Sequence, residues 1–383
     1  MKSISFKNPM FRFLAILSIA STAGLQVWRT LFNNYAAEVV HLTGDHIGVI
    51  QSVREIPGFL SLLAIYVILF IKEYRLSALS VMLLGLGVSL TGLFPSFYGL
   101  IFTTLIMSFG FHYFETTNQS LTLQYFDTKT SPLVFGKFRS YSAAVNVIVG
   151  MIILALSTFL DYQLLLGAFG LAVVAAGIWG MAQEPSRDDL VPQHKKMILK
   201  KRYSLYYFLT FMSGARRQVF VAFAVFLMVE RFEFSIQEIT TLFVINNIIG
   251  YFLSPLIGKA ILRFGEQKVL STEYFSLIFI FLGYAFTDSK ILVAGLYIFD
   301  HIFFNFSMGI RTFFQKISDP RDIAPSMAVG FTINHIAAVV IPALGGLLWI
   351  VDYRIPFIAG SAIGLVSLIA VQFVSKSIEK APN

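Results

Sequence analysis

The sequence contains no cysteine, which excludes a disulfide framework and every thiolate metal or redox centre. Charge is scarce too: Asp, Glu, Lys and Arg make up 13% of the 383 residues, against about 25% in ordinary soluble domains. There is no P-loop, GxSxG elbow, HExxH helix or EF-hand loop. An ATP-driven pump working through this chain alone is therefore unsupported, and no cofactor is called for. An integral-membrane enzyme would need a reactive cluster near one interface, and none is visible. His41, Asp45 and His46 could ligate a metal, yet two His and one Asp on a flexible outer loop are a common accident of composition, and no metal is assigned.

What the chain has in abundance is apolar surface. Hydrophobic residues are 56% of the total and the mean hydropathy is +0.74, more than a soluble fold can bury. Apolar runs recur along the whole length, many of them near the roughly 20 residues a helix needs to cross hydrocarbon. Breaks at charged and turn-forming residues predict twelve spans, at about 11–40, 46–71, 75–94, 97–125, 135–160, 162–182, 204–230, 236–262, 268–287, 290–314, 324–350 and 354–375. The first run continues through Gln26 and Arg29 to about Val40, too long for the core of a signal peptide, and is read as an uncleaved span.

The formal net charge of +8 would point to nucleic acid in a soluble protein, but topology accounts for it here. With the N-terminus inside, 22 of the 29 Lys and Arg residues fall in cytoplasmic segments, and only Arg231, Lys290 and Arg354 fall outside. Arg29, Arg54, Arg216 and Arg217 lie within spans. The positive-inside rule then puts both termini in the cytoplasm and the chain in the cytoplasmic (inner) membrane.

The longest polar stretch, Gln183 to Arg202, sits near the midpoint. It divides the chain into an N-terminal bundle (1–182), a linker (183–203) and a C-terminal bundle (204–383). A shift of 192 residues sets Gln26-Val27-Trp28 on Gln218-Val219-Phe220 and Gly58 on Gly250; one of 189 sets His112-Tyr113-Phe114 on His301-Ile302-Phe303. Asp161-Tyr162 and Asp352-Tyr353 open the last outer loop of each half. The constant order of these matches indicates an internal duplication. Ionisable residues concentrate in spans one, four, seven and ten, and the third span of each triplet is nearly devoid of them, with only Glu273 near the inner end of span nine. Because a mid-membrane charge costs about 2.5–3.5 kcal/mol even on the lenient insertion scale, the first helix of each triplet is expected to face protein or water and the third to face lipid.

Between spans eight and nine, Gly258-Lys259-Ala260-Ile261-Leu262-Arg263-Phe264-Gly265-Glu266-Gln267-Lys268 is similar to the loop signature of the major facilitator superfamily: Gly, three residues, Asp, a basic residue, one residue, Gly, then basic residues. Gly258, Arg263, Gly265 and Lys268 match, while Leu262 stands where the signature has Asp. Six plus six helices, a basic central loop and polar first helices resemble the same family across nearly the whole chain. The resemblance implies an all-α integral membrane protein of twelve transmembrane helices in two pseudo-symmetric six-helix bundles, working by alternating access around a site near mid-membrane.

Helical periodicity nominates the site residues. Ser18, Thr22, Gln26, Arg29 and Asn33 share one face of span one, and Thr104, Ser108, His112, Glu115, Gln119 and Thr122 share one face of span four. His112 and Glu115, at i and i+3, are close enough to exchange a proton, although Glu115 could equally neutralise an Arg on a facing helix. Arg216 and Arg217 point about 100° apart; Arg217 continues a polar face with Thr210 and Ser213, and Arg216 is expected to pair across the half interface with a neighbouring carboxylate. Gln26, Arg29, Arg217, His301 and Asn305 are the candidate solute ligands. Arg54, Glu55, Arg216 and Asp300 are expected in gating or structural ion pairs.

These residues predict a monomeric, proton-coupled secondary transporter, not an enzyme, whose partners are a small solute, protons and the lipid bilayer, with no nucleic acid. Four Arg against Glu55, Glu115 and Asp300 favour an anionic solute. Export of amphipathic drug-like compounds is the alternative, with a non-transporting sensor behind it.

Overall fold

A backbone in hydrocarbon has no water to satisfy its N–H and C=O groups, so an apolar chain of this kind resolves into helices whose hydrogen bonds close internally. The computed structural model describes residues 4–186 and 190–381, with the side chains of all of these except Gly44, Asp45, Ile236, Val339, Pro342 and Ala343. Arg187 of the linker and the side chain of Asp45 thus lie outside the described residues. No strand occurs among them.

Among the described residues, eleven helices are long and apolar enough to cross a membrane: Pro9–Glu38, His46–Val67, Glu73–Thr91, Phe97–Tyr125, Ser131–Leu156, Tyr162–Met181, Lys201–Glu230, Gln237–Phe264, Glu266–Phe286, Lys290–Ile317 and Arg354–Glu379. With Ile323–Val351 these are spans one to twelve. Several begin at a side chain that caps orphan backbone donors. Asn8 accepts from the Phe11 N–H, Ser96 from Gly99 and Asp161 from Leu164. Ser235 and Glu238 bond reciprocally as a capping box at span eight.

Hydropathy predicts continuous helices, and spans two, seven and ten are in fact irregular in their interiors. In span two, Pro57 lacks the N–H that would continue the ladder. A 3₁₀ turn follows at Leu60–Leu63. Thr332 of span eleven fills the break: its Oγ1 donates to the Phe59 carbonyl and accepts from the Leu62 N–H, each at 3.0 Å. Span seven carries a π-turn at Phe220–Ala224 and span ten a 3₁₀ turn at Asn305–Ser307. Such irregular turns recur at functional positions in helices.

The chain forms two compact units. One comprises residues 1–126, 141–198 and 321–332; the other comprises 127–140, 199–320 and 333–383. Each therefore contains a short helical segment from the opposite half of the sequence. In the first unit, small residues let helices approach backbone to backbone. A Cβ on Gly110 of span four would strike the Ser80 carbonyl and Leu84 backbone of span three, and one on Gly85 would lie 2.6 Å from the Val174 nitrogen of span six. This is the close packing on which membrane helices rely when no hydrophobic drive separates protein from lipid.

Candidate functional site

Glu73 and Glu266 open spans three and nine, and both are buried. Within the first unit, Gln124 at the C-terminal end of span four donates to Glu73 at 2.7 Å and to Ser120 at 2.8 Å. Within the second, Lys316 at the end of span ten bonds Glu266 at 2.7 Å. The same clamp is thus built twice, with an amide in one repeat and an ammonium in the other. Sequence reasoning missed both carboxylates because they sit at span edges, where a charge looks solvated. Their spacings from Gln124 and Lys316, 51 and 50 residues, were the available signal.

The loop signature has a packing role in the second unit. A Cβ on Gly258 would strike the carbonyl of Pro132 at the start of span five, so this position needs glycine. Gly265 terminates span eight at φ +82°, a conformation that favours glycine over any residue with a Cβ. Arg263 and Lys268 are exposed, and the Arg263 guanidinium lies 5.3 Å from the Phe264 ring centroid.

In the first unit, spans one, two and four bring a polar group together in the middle of the bundle. Arg54 donates to Glu55 through Nη2 at 2.8 Å and Nε at 3.2 Å, both side chains being about a quarter exposed. The same guanidinium lies 5.6 Å from the Trp28 ring centroid, and Trp28 stacks on Phe32. Ser108 donates to the Arg54 carbonyl. His112 is buried, and one of its ring nitrogens lies within 4.8 Å of a Glu55 carboxylate oxygen. Phe331 flanks its ring at 5.9 Å. Glu115, half-buried, accepts from Gln119 one turn further on, at 3.4 Å. The carboxylate brought to His112 in this way comes from span two. On span one, Gln26 donates to Thr30 at 3.1 Å, and Arg29, Thr30 and Asn33 form an exposed polar strip.

In the second unit, Arg216 is fully buried and donates through Nη2 to Glu273 of span nine at 2.8 Å. Its partner thus belongs to its own unit, on a span expected to face lipid. Arg217, one residue on, is half-buried. Phe304 lies under two guanidinium groups, Arg216 at 5.4 Å and Arg139 at 5.3 Å from its centroid. Arg139 also donates to Asn305 Oδ1 at 2.7 Å, and Asn305 returns Nδ2 to the His301 carbonyl at 2.9 Å. Asn305 is therefore held from both ends at the 3₁₀ turn of span ten, with His301 half-buried beside it. Asp300 is fully buried. Asn334 donates to the Thr210 carbonyl at 3.2 Å, joining spans eleven and seven.

Charged groups inside apolar helices, arranged twice around glycine-tight or ion-paired bundle cores, are the attributes of a solute carrier. No curated protein matches the sequence closely enough to count as a relative. Among solved structures, the human organic anion transporter MFSD10 (TETRAN) aligns at 11% identity and a TM-score of 0.77, covering 96% of this chain and 99% of that one. A bacterial homologue of the iron transporter ferroportin, in its outward-facing state, aligns at 13% and 0.78, with 96% and 99% covered. The E. coli fucose:proton symporter FucP aligns in its outward conformation at 13% and 0.76, with 95% and 98% covered. At such identities these likenesses establish the fold. The sequence model of the Major Facilitator Superfamily matches residues 11–319, four-fifths of the length, and the chain belongs to that family of membrane transporters.

Proposed function

We propose that this transporter moves a small anionic solute across the cytoplasmic membrane by alternating access, coupled to protons, as a monomer with both termini in the cytoplasm. The observation that carries the charge preference is the state of two arginines on the first helix of each sequence half. Arg29 is exposed and Arg217 half-buried, while Arg216 is fully buried. Guanidinium groups kept accessible in apolar spans suit carboxylate and phosphate oxygens, which they engage bidentately. Gln26, His301 and Asn305 would complete the solute contacts, and His112 with Glu115 would relay a proton in the first unit. One structural neighbour is an organic anion transporter. At 11% identity it lends only its fold, and the reading rests on the arginines.

The test is a thermal-shift screen of the purified protein against organic and inorganic anions, cations and amphipathic drugs, followed by counterflow in proteoliposomes. A ligand that binds the native state raises apparent stability by mass action. Stabilisation and counterflow by an anion, lost in Arg29→Ala and Arg217→Ala, is the expected result. Stabilisation by cations or drugs alone discards the anion reading and leaves the carrier.

A further inference from the structure

The second unit contains a cluster of ionisable groups that its fold does not require. Arg216 of span seven, Glu273 of span nine and Asp300 of span ten are all fully buried. Among these three fully buried groups, one guanidinium serves two carboxyls, so the trio is net negative if both are ionised. Glu273 receives Nη2 of Arg216 on Oε1. Neither oxygen of Asp300 has a hydrogen-bond partner, nor does Oε2 of Glu273, and Nε and Nη1 of Arg216 remain undonated. An ionised carboxylate without donors is the costliest arrangement a buried polar group can adopt. A single added proton removes it.

The surroundings of Asp300 narrow the choice of ligand. Arg216 interacts with it electrostatically from span seven, Glu273 and Tyr284 from span nine, and Tyr297 from one turn earlier on its own helix. His301 is next in sequence, and Arg139 acts on both Glu273 and His301. Span eight contributes Glu238, which is tied to Lys290 at the outer end of span ten. The N-terminal repeat provides an internal control. The shift that superposes Glu73 on Glu266 sets Ser80 on Glu273; that of Gln26 on Gln218 sets Gly24 on Arg216; that of His112 on His301 sets Phe111 on Asp300. Three non-ionisable residues occupy the matching places, and that repeat folds without a charge there.

We propose that Arg216, Glu273 and Asp300 form a proton-binding site inside the C-terminal bundle, with one exchangeable proton carried on Asp300 and Glu273 kept ionised by Arg216. Binding forms an O–H bond on an Asp300 oxygen, and release returns that proton to water, leaving Arg216 to serve both carboxylates. The site is separate from the His112 group, and its role in coupling rests on the transporter reading above.

The experiment is infrared spectroscopy of the purified full-length protein in lipid, with protons, deuterons and sodium as the probes. At neutral pH a protonated-carboxyl C=O band is expected, shifting down promptly in D₂O. It should also shift when aspartate carboxyls are ¹³C-labelled in otherwise unaltered protein, which needs no variant to fold. Asp300→Asn should abolish the aspartate-sensitive band, and Asp300→Glu should restore one at a shifted position. Absence of the band in the wild type, a response to labelled glutamate instead of aspartate, or failure to exchange in D₂O overturns the proposal. So does loss of the band on adding sodium at constant pH, which would give the site to that ion. Proton movement in proteoliposomes is read separately: the band without any proton-linked flux would sink the coupling role while the proton site stands.

Discussion

Replacing Arg216 by Leu should be among the most damaging single changes in the protein, and the structure sets the order of the related variants. The side chain is fully buried against Glu273 at 2.8 Å, with the Phe304 ring centroid 5.4 Å from the guanidinium carbon. Breaking a buried ion pair by removing one partner costs about 3–5 kcal/mol, because the remaining charge has neither counter-ion nor water. Arg216→Leu leaves Glu273 without its counter-ion, beside the unpartnered carboxyl of Asp300, and falls at the upper end of that range. Glu273→Gln leaves Arg216 with Asp300 as a substitute counter-ion and should fall below it. Asp300→Asn replaces a buried carboxyl that has no hydrogen-bond partner and should cost least. The double variant Arg216→Leu/Glu273→Gln should recover much of the loss of Arg216→Leu, since coupled neighbours are not additive. Equilibrium unfolding in mixed micelles reads all four. An Arg216→Leu protein within about 1 kcal/mol of the wild type, the ordinary size of a point-mutant effect, would refute the account, as would Asp300→Asn proving the worst of the series.

Four further outcomes follow from geometry. Gly110→Val should destabilise the first unit by about 1–3 kcal/mol, the cost of overpacking, because its Cβ meets the backbone of Leu84 and the Ser80 carbonyl; Gly150→Ala, where a Cβ meets nothing within 4 Å, is the silent control in the same unfolding assay. Arg29→Lys and Arg217→Lys should each weaken anion binding in a thermal-shift titration despite conserving charge, since an ammonium lacks the planar fork. Glu115→Gln should abolish gradient-driven accumulation and spare counterflow; equal loss of both would make Glu115 structural. Reporters fused after Lys200 and at the C-terminus should both read cytoplasmic, and a periplasmic signal at either overturns the topology.

Hydropathy located the helices well because lipid imposes a single rule on every span, and predicted ends such as 97–125 coincide with Phe97–Tyr125. It was blind to the breaks. Pro57 was visible, but the partner that makes the break tolerable, Thr332, lies 273 residues away from Phe59. Side-chain roles were legible where one helix decides them, as for Arg54 beside Glu55. They were not legible where a second helix does. Arg216 finds Glu273 on a span whose composition reads as lipid-facing, and His112 is approached by Glu55 from a second helix. A sequence periodicity says which residues share a face; which neighbour covers that face is a property of packing.

The twin clamps where spans three and nine begin have a consequence for how the halves respond to their medium. Gln124 to Glu73 is an amide–carboxyl hydrogen bond, whereas Lys316 to Glu266 joins full charges, with the lysine about a third exposed. Mobile ions screen the second far more than the first. Raising the ionic strength of the solution that bathes these ends should therefore loosen the grip of span ten on span nine and leave that of span four on span three untouched. Two repeats of one architecture would then differ in stiffness according to the osmotic and ionic history of the cell, with the C-terminal bundle the one that yields.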